Sequence, residues 1–217
     1  IQMSSSPSTS DNITFTLDPS DNLSFYTTYK IKVTTSATDL AGNNLASDNT
    51  TSNGFTTKYF TTYLGTSSGE EGRAIASDSN EKIFLTGGTY GGLDSNTNSG
   101  EQDIFLVKMD NETVTQWTVQ LGSSSNDSGR GVAVDTSNNI YVTGFTEGCL
   151  NGYTNLGEED IFLLKYNSSG TIQWTRQLGT YASEIGHGVA VYSNTYIYVV
   201  GETEGGLDNN TNSGDKD

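Results

Sequence analysis

A block of 57 residues recurs without a gap through most of this chain. A Leu-Gly pair marks the interval, at residues 64–65, 121–122 and 178–179. One glycine of each block keeps the same spacing: Gly72, Gly129 and Gly186. A fixed period of this length indicates one supersecondary unit that stacks on copies of itself, each burying its neighbour's apolar face. The repeat therefore predicts an architecture, but it does not identify a ligand.

The middle copy contains four segments with the composition of short β-strands. They are separated by Asn-, Ser- and Gly-rich turns or by one long polar loop, and they cover residues 131–135, 140–145, 160–166 and 171–178. The runs at 104–107 and 161–164 are apolar at consecutive positions, so both faces of those strands must be covered. A sheet packed between two others is covered in this way. We therefore predict an all-β fold, a partial β-propeller of four-stranded 57-residue blades.

The repeat region covers residues 58–217. Phe60 occupies the repeat position of Trp117 and Trp174, and from Phe60 to Asp217 the region holds 158 residues, or about 2.8 repeats. Propellers have about four to eight blades. We therefore expect both ends of the chain to be cut from something longer.

Residues 1–57 follow a different pattern. Residues 12–17 and 29–34 alternate apolar and polar side chains, as half-buried strands of a sandwich do. A full β-sandwich needs about a hundred residues. We therefore predict that residues 1–57 form part of a β-sandwich.

Motifs in both regions resemble bacterial families. The segments at 129–135, 139–144, 160–166 and 173–180 resemble the bacterial β-propeller repeat called SBBP. The Asp-x-Ala-Gly-Asn turn at 39–43 is similar to one in the C-terminal half of SbsA-type bacterial Ig-like domains. This resemblance implies that residues 1–57 are the C-terminal part of a bacterial Ig-like domain, a partial Ig-like β-sandwich. These resemblances imply a large, secreted or surface-exposed bacterial protein of a family whose activities are mostly undefined.

Charge and composition exclude several classes of partner and site. The chain has 10 Lys and Arg against 26 Asp and Glu, a formal net charge of −16, and such a surface repels nucleic acid and anionic lipid. No stretch has the length of a membrane-spanning helix, and no export signal opens the chain. The single cysteine, Cys149, forms no internal disulfide, and no phosphate loop, nucleophile elbow or paired-Cys motif is present.

Comparison of the copies separates scaffold from candidate site. Residues shared by every copy are expected to be structural: Trp117 and Trp174 as core packing, and Asp103, Asp160 and Asp217 as strand-entry or turn-capping carboxylates. The departures are the positions at which a unique ligand would bind. They are His187 for Arg73 and Arg130, Tyr153 for Asn96, Leu156 for Ser99, Tyr192 for Asp78 and Asp135, and Cys149 for Gly92 and Gly206.

None of these positions makes a convincing catalytic site. His187 is the only histidine, and a lone imidazole without a named partner is expected to be a surface or channel-lining residue. Cys149 is expected to be a tolerated loop residue. We therefore predict no catalytic, cofactor-binding or metal-binding residue.

Calcium binding by two of the loops is a more specific hypothesis, and the sequence leaves it open. Residues 94–103 and 208–217 begin with oxygen side chains at alternate positions before a glycine, as loops that bind hard cations do. The middle copy instead carries Asn151, Gly152 and Tyr153, and no bidentate Glu ends the loops. Asx-rich turns also stabilise themselves by side-chain to backbone hydrogen bonds, so structural loops are the simpler interpretation.

From these features we expect a non-enzymatic bacterial binding or adhesion module at the cell surface or outside the cell. Ig-like modules would space the propeller, whose loops would bind a protein or a glycan. The alternatives are a hydrolase or lyase whose site lies outside this segment, and a purely structural spacer. Departures that converge on the channel would favour the enzyme, and departures on one outer face would favour binding.

Overall fold

The computed structural model describes residues 19, 23–24, 27–38, 41–56, 62–192 and 194–217. The chain divides into two units, residues 1–61 and 62–217. Regular structure in the described residues is almost entirely β, which confirms the all-β prediction. No helix among these residues has the length and apolar character to cross a membrane.

The described residues of the first unit form two short antiparallel strand pairs. They are β1 (Thr28–Tyr29) with β4 (Phe55–Thr56), and β2 (Lys32–Val33) with β3 (Asn49–Thr50). The single strand predicted at 29–34 is therefore wrong, because the chain changes partner strand at Ile31, whose N–H and C=O bind Thr51. The predicted strand at 12–17 and Phe60 lie outside the described residues.

The second unit contains two complete four-stranded antiparallel blades and a third sheet of two strands. The first blade has the order β5 (Glu70–Ser77), β6 (Ile83–Thr89), β7 (Asp103–Met109), β8 (Thr115–Leu121). The second has the order β9 (Asp127–Val134), β10 (Ile140–Thr146), β11 (Asp160–Tyr166), β12 (Ile172–Leu178). The third pairs β13 (Glu184–Tyr192) with β14 (Tyr196–Thr203). Short 3₁₀ turns stand at Leu93–Ser95 and Leu207–Asn209.

The four strands predicted for the middle copy are confirmed, with one correction. The first strand begins at Asp127 instead of residue 131, because its pairing with β10 continues past a bulge at Arg130. The predicted start had rested on the small-residue run that follows the bulge.

Glycines let neighbouring blades approach closely along their innermost strands, β5, β9 and β13, which pack on one another. A Cβ added to Gly131 would lie 2.9 Å from Gly188 Cα of the next blade, so no larger residue fits there. Gly129 fits equally tightly against Thr86 of the previous blade. The small-residue pattern of the innermost strand is thus a condition of stacking.

The apolar core lies between the first two blades. It contains the buried side chains of Phe84, Leu106, Val142, Phe162 and Leu164. The prediction that Ile104–Val107 is covered on both faces is confirmed, since all four residues are buried. The same prediction for 161–164 is wrong, because burial alternates along β11 and Ile161 and Leu163 are only half-buried. The third sheet, which packs against that face of β11, has only two strands.

Candidate recognition face

The long loops of the repeats meet at one end of the blade stack. Because the strands are antiparallel, the loops 90–102 and 147–159 lie at the same end as the connections between blades, 122–126 and 179–183. Leu93 and Leu150, at equivalent positions, are buried and fix the base of each long loop. We call this end of the second unit the loop face.

A repeated glutamine fastens each long loop to the outermost strand. The side-chain oxygen of Gln120 accepts from Leu93 N at 3.0 Å, and its Nε2 donates to Asp103 Oδ2 at 2.9 Å. Gln177 binds Leu150 N and Asp160 in the same way, at 3.1 and 2.9 Å. The 57-residue comparison could have revealed this role, but it was not among the predictions.

The capping role predicted for Asp103, Asp160 and Asp217 is confirmed. Each carboxylate accepts a hydrogen bond from a backbone N–H four residues earlier, at Ser99, Leu156 and Ser213 respectively. Asp103 and Asp160 are buried. They therefore hold the ends of the loops in place.

A second repeated carboxylate, missed in the sequence analysis, begins each innermost strand at Glu70, Asp127 and Glu184. Asp127 Oδ2 accepts from Ser123 N at 2.5 Å and from Ser123 Oγ at 2.9 Å, and Asp127 Oδ1 accepts from Thr146 Oγ1. Glu70 binds Thr66 and Thr89, and Glu184 binds Thr180 and Thr203, at the equivalent positions. The residue is Glu in the first and third copies and Asp in the second, so a search for identical residues at the 57-residue spacing does not reveal this carboxylate.

Asp127 and Glu70 have opposite pKa shifts, because burial and hydrogen bonding act in opposite directions and a different one prevails in each. Burial raises the pKa of Asp127 above its ordinary value, with a further contribution from the charge of Asp103, and outweighs the hydrogen bonds from Ser123 and Thr146. In the half-buried Glu70, burial also acts upward, but hydrogen bonds from Thr66 and Thr89 outweigh it and lower the pKa. Burial likewise raises the pKa of Asp160 against the bond from Gln177.

The Asx-rich loops use their side chains to hold their own backbone. Asn98 accepts from Gly100 N at 2.9 Å and donates to Thr89 O and Glu101 O. Asp94 accepts from Thr118 Oγ1. In the third copy, Asn212 and Asn210 make the corresponding bonds. Within the described parts of the chain, no three His, Cys, Asp or Glu side chains come together as metal ligands.

We expect calcium to produce no saturable heat when it is titrated into the full chain in a calorimeter. Asp94 Oδ2 already accepts from Thr118, and Asp103 Oδ2 already accepts from Ser99 and Gln120, so these oxygens are used in holding the loop. A saturable heat that disappears in the double variant Asp94→Ala, Asp208→Ala would contradict this expectation.

Tyr153 proves to be a structural replacement. Asn96 in the first blade donates from Nδ2 to Thr118 O at 3.3 Å. Tyr153, at the equivalent position, donates from its hydroxyl to Thr175 O at 2.9 Å, so it makes the same link to the outermost strand. The same hydroxyl accepts from Arg176, whose guanidinium lies 5.5 Å above the Trp174 ring.

Leu156 and Tyr181 form an exposed apolar patch on the loop face of the second blade. Leu156 replaces Ser99, and Tyr181 replaces Ser124 of the first blade. The exposed fractions of their side chains are 51% and 93%. Gly157, next to Leu156, packs against the backbone of Tyr181, which brings the two side chains to the same region.

An acidic cavity borders this patch. It has a volume of ≈ 410 Å³ and is lined by Gly157 and the carboxylate-bearing Glu147, Glu158 and Glu159. Asn126 donates to Glu147 at 3.0 Å and orients it. An exposed tyrosine beside several carboxylates offers one stacking surface and several hydrogen-bond acceptors, the groups that glycans and peptides engage.

The other residues that differ between the repeats lie outside the patch formed by Leu156 and Tyr181. His187 is on innermost strand β13, where its Nε2 stands 3.6 Å from Glu202 Oε2. Tyr192 ends that strand at the opposite end of the sheet and is exposed. Cys149 is exposed in the second long loop.

Each tryptophan packs beside an aromatic ring of its own blade. Trp117 packs against the main core beside Phe84, with ring centroids 6.3 Å apart, and Trp174 lies 6.1 Å from Tyr141. These contacts support the predicted packing role.

Comparison with family models agrees with this architecture. A β-propeller repeat model, SBBP, matches residues 116–148 and 173–208, and a bacterial Ig-like domain model matches residues 2–62. These two segments of the repeat region are similar to SBBP β-propeller repeats. The resemblances stated from the sequence motifs are confirmed, and SBBP repeats that follow a bacterial Ig-like domain suggest a surface or binding module.

The chain also aligns with a curated viral protein. An uncharacterized WD repeat-containing protein of Acanthamoeba polyphaga mimivirus is 30% identical over 127 residues. The match covers 51% of this chain and 9% of that protein. The similarity therefore extends over a small part of the viral protein.

Proposed function

We propose that the SBBP repeats are a non-enzymatic recognition module of an exported protein, at the bacterial cell surface or outside the cell. The Ig-like domain acts as a spacer, and the loop face of the second blade binds a protein or a glycan. Export is supported by the association of SBBP repeats with a bacterial Ig-like domain and by a polar surface rich in Ser, Thr and Asn.

One observation carries this proposal: apolar departures from the repeat meet on an outer loop surface. Leu156 and Tyr181 both replace serines, and Gly157 joins their loops in direct contact. A structural role does not require either side chain to be exposed and apolar, because the serines of the first blade occupy the same backbone positions. Exposed aromatic side chains on rigid loops are typical of recognition surfaces.

The test is a glycan and extracellular-matrix binding array with the full chain, with and without calcium. For any ligand found, the variants Tyr181→Ser and Leu156→Ser, which restore the first blade's residues, are expected to weaken binding about tenfold or more. Tyr192→Ser is the matched control, since Tyr192 is 67% exposed in the same unit and ends β13 at the opposite end of the sheet from the loop face. Equal losses in all three variants, or no ligand at all, would contradict the proposal.

The alternative, a hydrolase or lyase, has one observation in its favour. His187 and Glu202 are paired and accessible on the third sheet. However, Glu202 also binds Lys216 Nζ at 2.6 Å, and this bond lowers the pKa of Glu202 and keeps it ionised. Turnover of a hydrolase substrate that is lost in His187→Gln would support the enzyme instead.

A further inference from the structure

Each innermost strand carries a basic residue at a β-bulge. Arg73, Arg130 and His187 are the extra residues between paired positions, because their two neighbours pair with consecutive residues of the adjacent strand. A bulge re-aims one side chain and is common beside functional sites. In a propeller these strands surround the central channel, so the repeat places a basic side chain at that channel in every copy.

Two of these three basic residues have a carboxylate partner. Arg73 Nη2 pairs with Glu71 of its own strand. His187 lies 3.6 Å from Glu202 of the neighbouring strand. The first blade therefore uses a partner two residues before the bulge, and the third sheet uses a partner on the adjacent strand.

Arg130 has neither partner, because the second blade lacks a carboxylate at both positions. Ser128 occupies the position of Glu71, and Phe145 occupies the position of Glu202. The Arg130 guanidinium instead lies over the Phe145 ring, with Cζ 5.0 Å from the ring centroid. Among the described residues, no carboxylate comes within ion-pair distance of it.

Two polar atoms at this position are buried and have no hydrogen-bond partner. They are Arg130 Nε and Ser128 Oγ. The Ser128 residue is 2% exposed. Ser128 pairs directly with Phe145 across the strands, so Ser128 shares the sheet face of the ring over which Arg130 lies. Buried polar groups are nearly always satisfied, and an exception calls for an explanation, of which a bound ion is one.

The chemistry of these groups identifies the class of ligand. A guanidinium presents several N–H donors in a fixed plane that matches the oxygens of carboxylate and phosphate groups. A serine hydroxyl adds a further donor. We propose that Arg130 and Ser128 bind a small oxyanion, a carboxylate or a phosphate group, on the channel side of the second blade. The net charge of −16 disfavours large polyanions there. This inference does not depend on the function proposed for the loop face.

Arginine side-chain NMR tests the proposal directly. The chain has three arginines, Arg73, Arg130 and Arg176, so the Nε–Hε signals of the full ¹⁵N-arginine-labelled chain form a simple spectrum. Sodium acetate and sodium phosphate are titrated against sodium chloride at constant ionic strength. We expect a saturable movement of the Arg130 signal, which the variant Arg130→Lys identifies, and none for Arg73 or Arg176.

The two salts distinguish the ligand sources. Saturation with phosphate alone assigns a phosphate site, and saturation with acetate as well assigns a carboxylate site. If the Arg130 signal moves no more than that of Arg73, or moves equally in chloride, the proposal is overturned.

A thermal measurement separates binding from a purely structural stacking role. Ligand binding to the folded state raises the melting temperature by mass action. The oxyanion is expected to raise the melting temperature of the native chain but not that of Arg130→Gln. Ser128→Ala is expected to weaken the oxyanion affinity about fivefold or more, as loss of one charge-assisted hydrogen bond does. If Arg130 only stacks on Phe145, the Arg130→Gln chain melts earlier and neither salt changes the melting temperature of the native chain.

Discussion

Replacing Asp127 by alanine is expected to lower the free energy of unfolding of the propeller unit by about 2–4 kcal/mol, since each buried donor left unpaired costs about 1–3 kcal/mol. Asp127 is completely buried and accepts hydrogen bonds from Ser123 N, Ser123 Oγ and Thr146 Oγ1. Thr146 keeps an alternative acceptor in Gly148 O, but the backbone N–H of Ser123 has none. Urea unfolding followed by tryptophan fluorescence measures the change, because both tryptophans lie in the first two blades.

The pH dependence of the unfolding free energy distinguishes the unfavourable burial of the Asp127 charge from the stabilisation that its hydrogen bonds provide. Burial raises the pKa of Asp127 in the folded state above the ordinary value of 3.8. The stability contributed by its protonation is therefore present below pH 3.8 and is lost as the pH rises through the folded pKa. The unfolding free energy of the native chain, relative to that of Asp127→Asn, should fall as the pH rises through this window.

Glu70 is the matched control, because it makes the same bonds in a half-buried position. Its pKa is lowered from the ordinary value of 4.5, so its contribution is present above that pH and is lost as the pH falls through the folded pKa. Glu70→Gln should therefore show the opposite trend to Asp127→Asn. If the unfolding free energy changes with pH in the same direction for both substitutions, burial between blades does not determine how these carboxylates titrate.

The blade architecture was predictable because the signals that encode it are local. Turn residues such as the Asn167–Gly170 cluster and apolar runs such as Ile104–Val107 mark strand ends and two-sided burial, and the 57-residue interval repeats them. Asn167 Oδ1, for example, accepts from the N–H groups of Ser169 and Thr171 and closes its hairpin within five residues. Such interactions do not depend on distant parts of the chain.

The candidate sites were less predictable, because the same repeat position serves different purposes in different blades. Tyr153 differs from Asn96 in sequence but makes the same bond, so a departure from the repeat proved structural. Arg130 matches Arg73 in sequence but lacks its partner, so a shared residue proved distinctive. Only the neighbours of a residue in three dimensions decide such cases.

Replacing Gly129 by alanine is expected to lower the unfolding free energy by about 1–3 kcal/mol, the usual cost of forcing a methyl group into a packed interior. A Cβ at this position would lie 2.2 Å from Thr86 Oγ1 of the first blade. Thr86 is buried and donates to Phe105 O at 2.7 Å, so its hydroxyl cannot move away without breaking that bond. The same urea titration measures the change.

Gly72→Ala is the matched control, because Gly72 occupies the same repeat position but has no atom within 4 Å of an added Cβ. Neither glycine has a positive φ, so alanine is compatible with the backbone at both, and Gly72→Ala should change the unfolding free energy by less than about 0.5 kcal/mol. Adding Thr86→Ala to Gly129→Ala removes the clashing oxygen, so the two substitutions should cost less together than the sum of their separate effects. Strict additivity, or an equal loss in Gly72→Ala, would mean that the glycine is needed for its own backbone and not for the contact between blades.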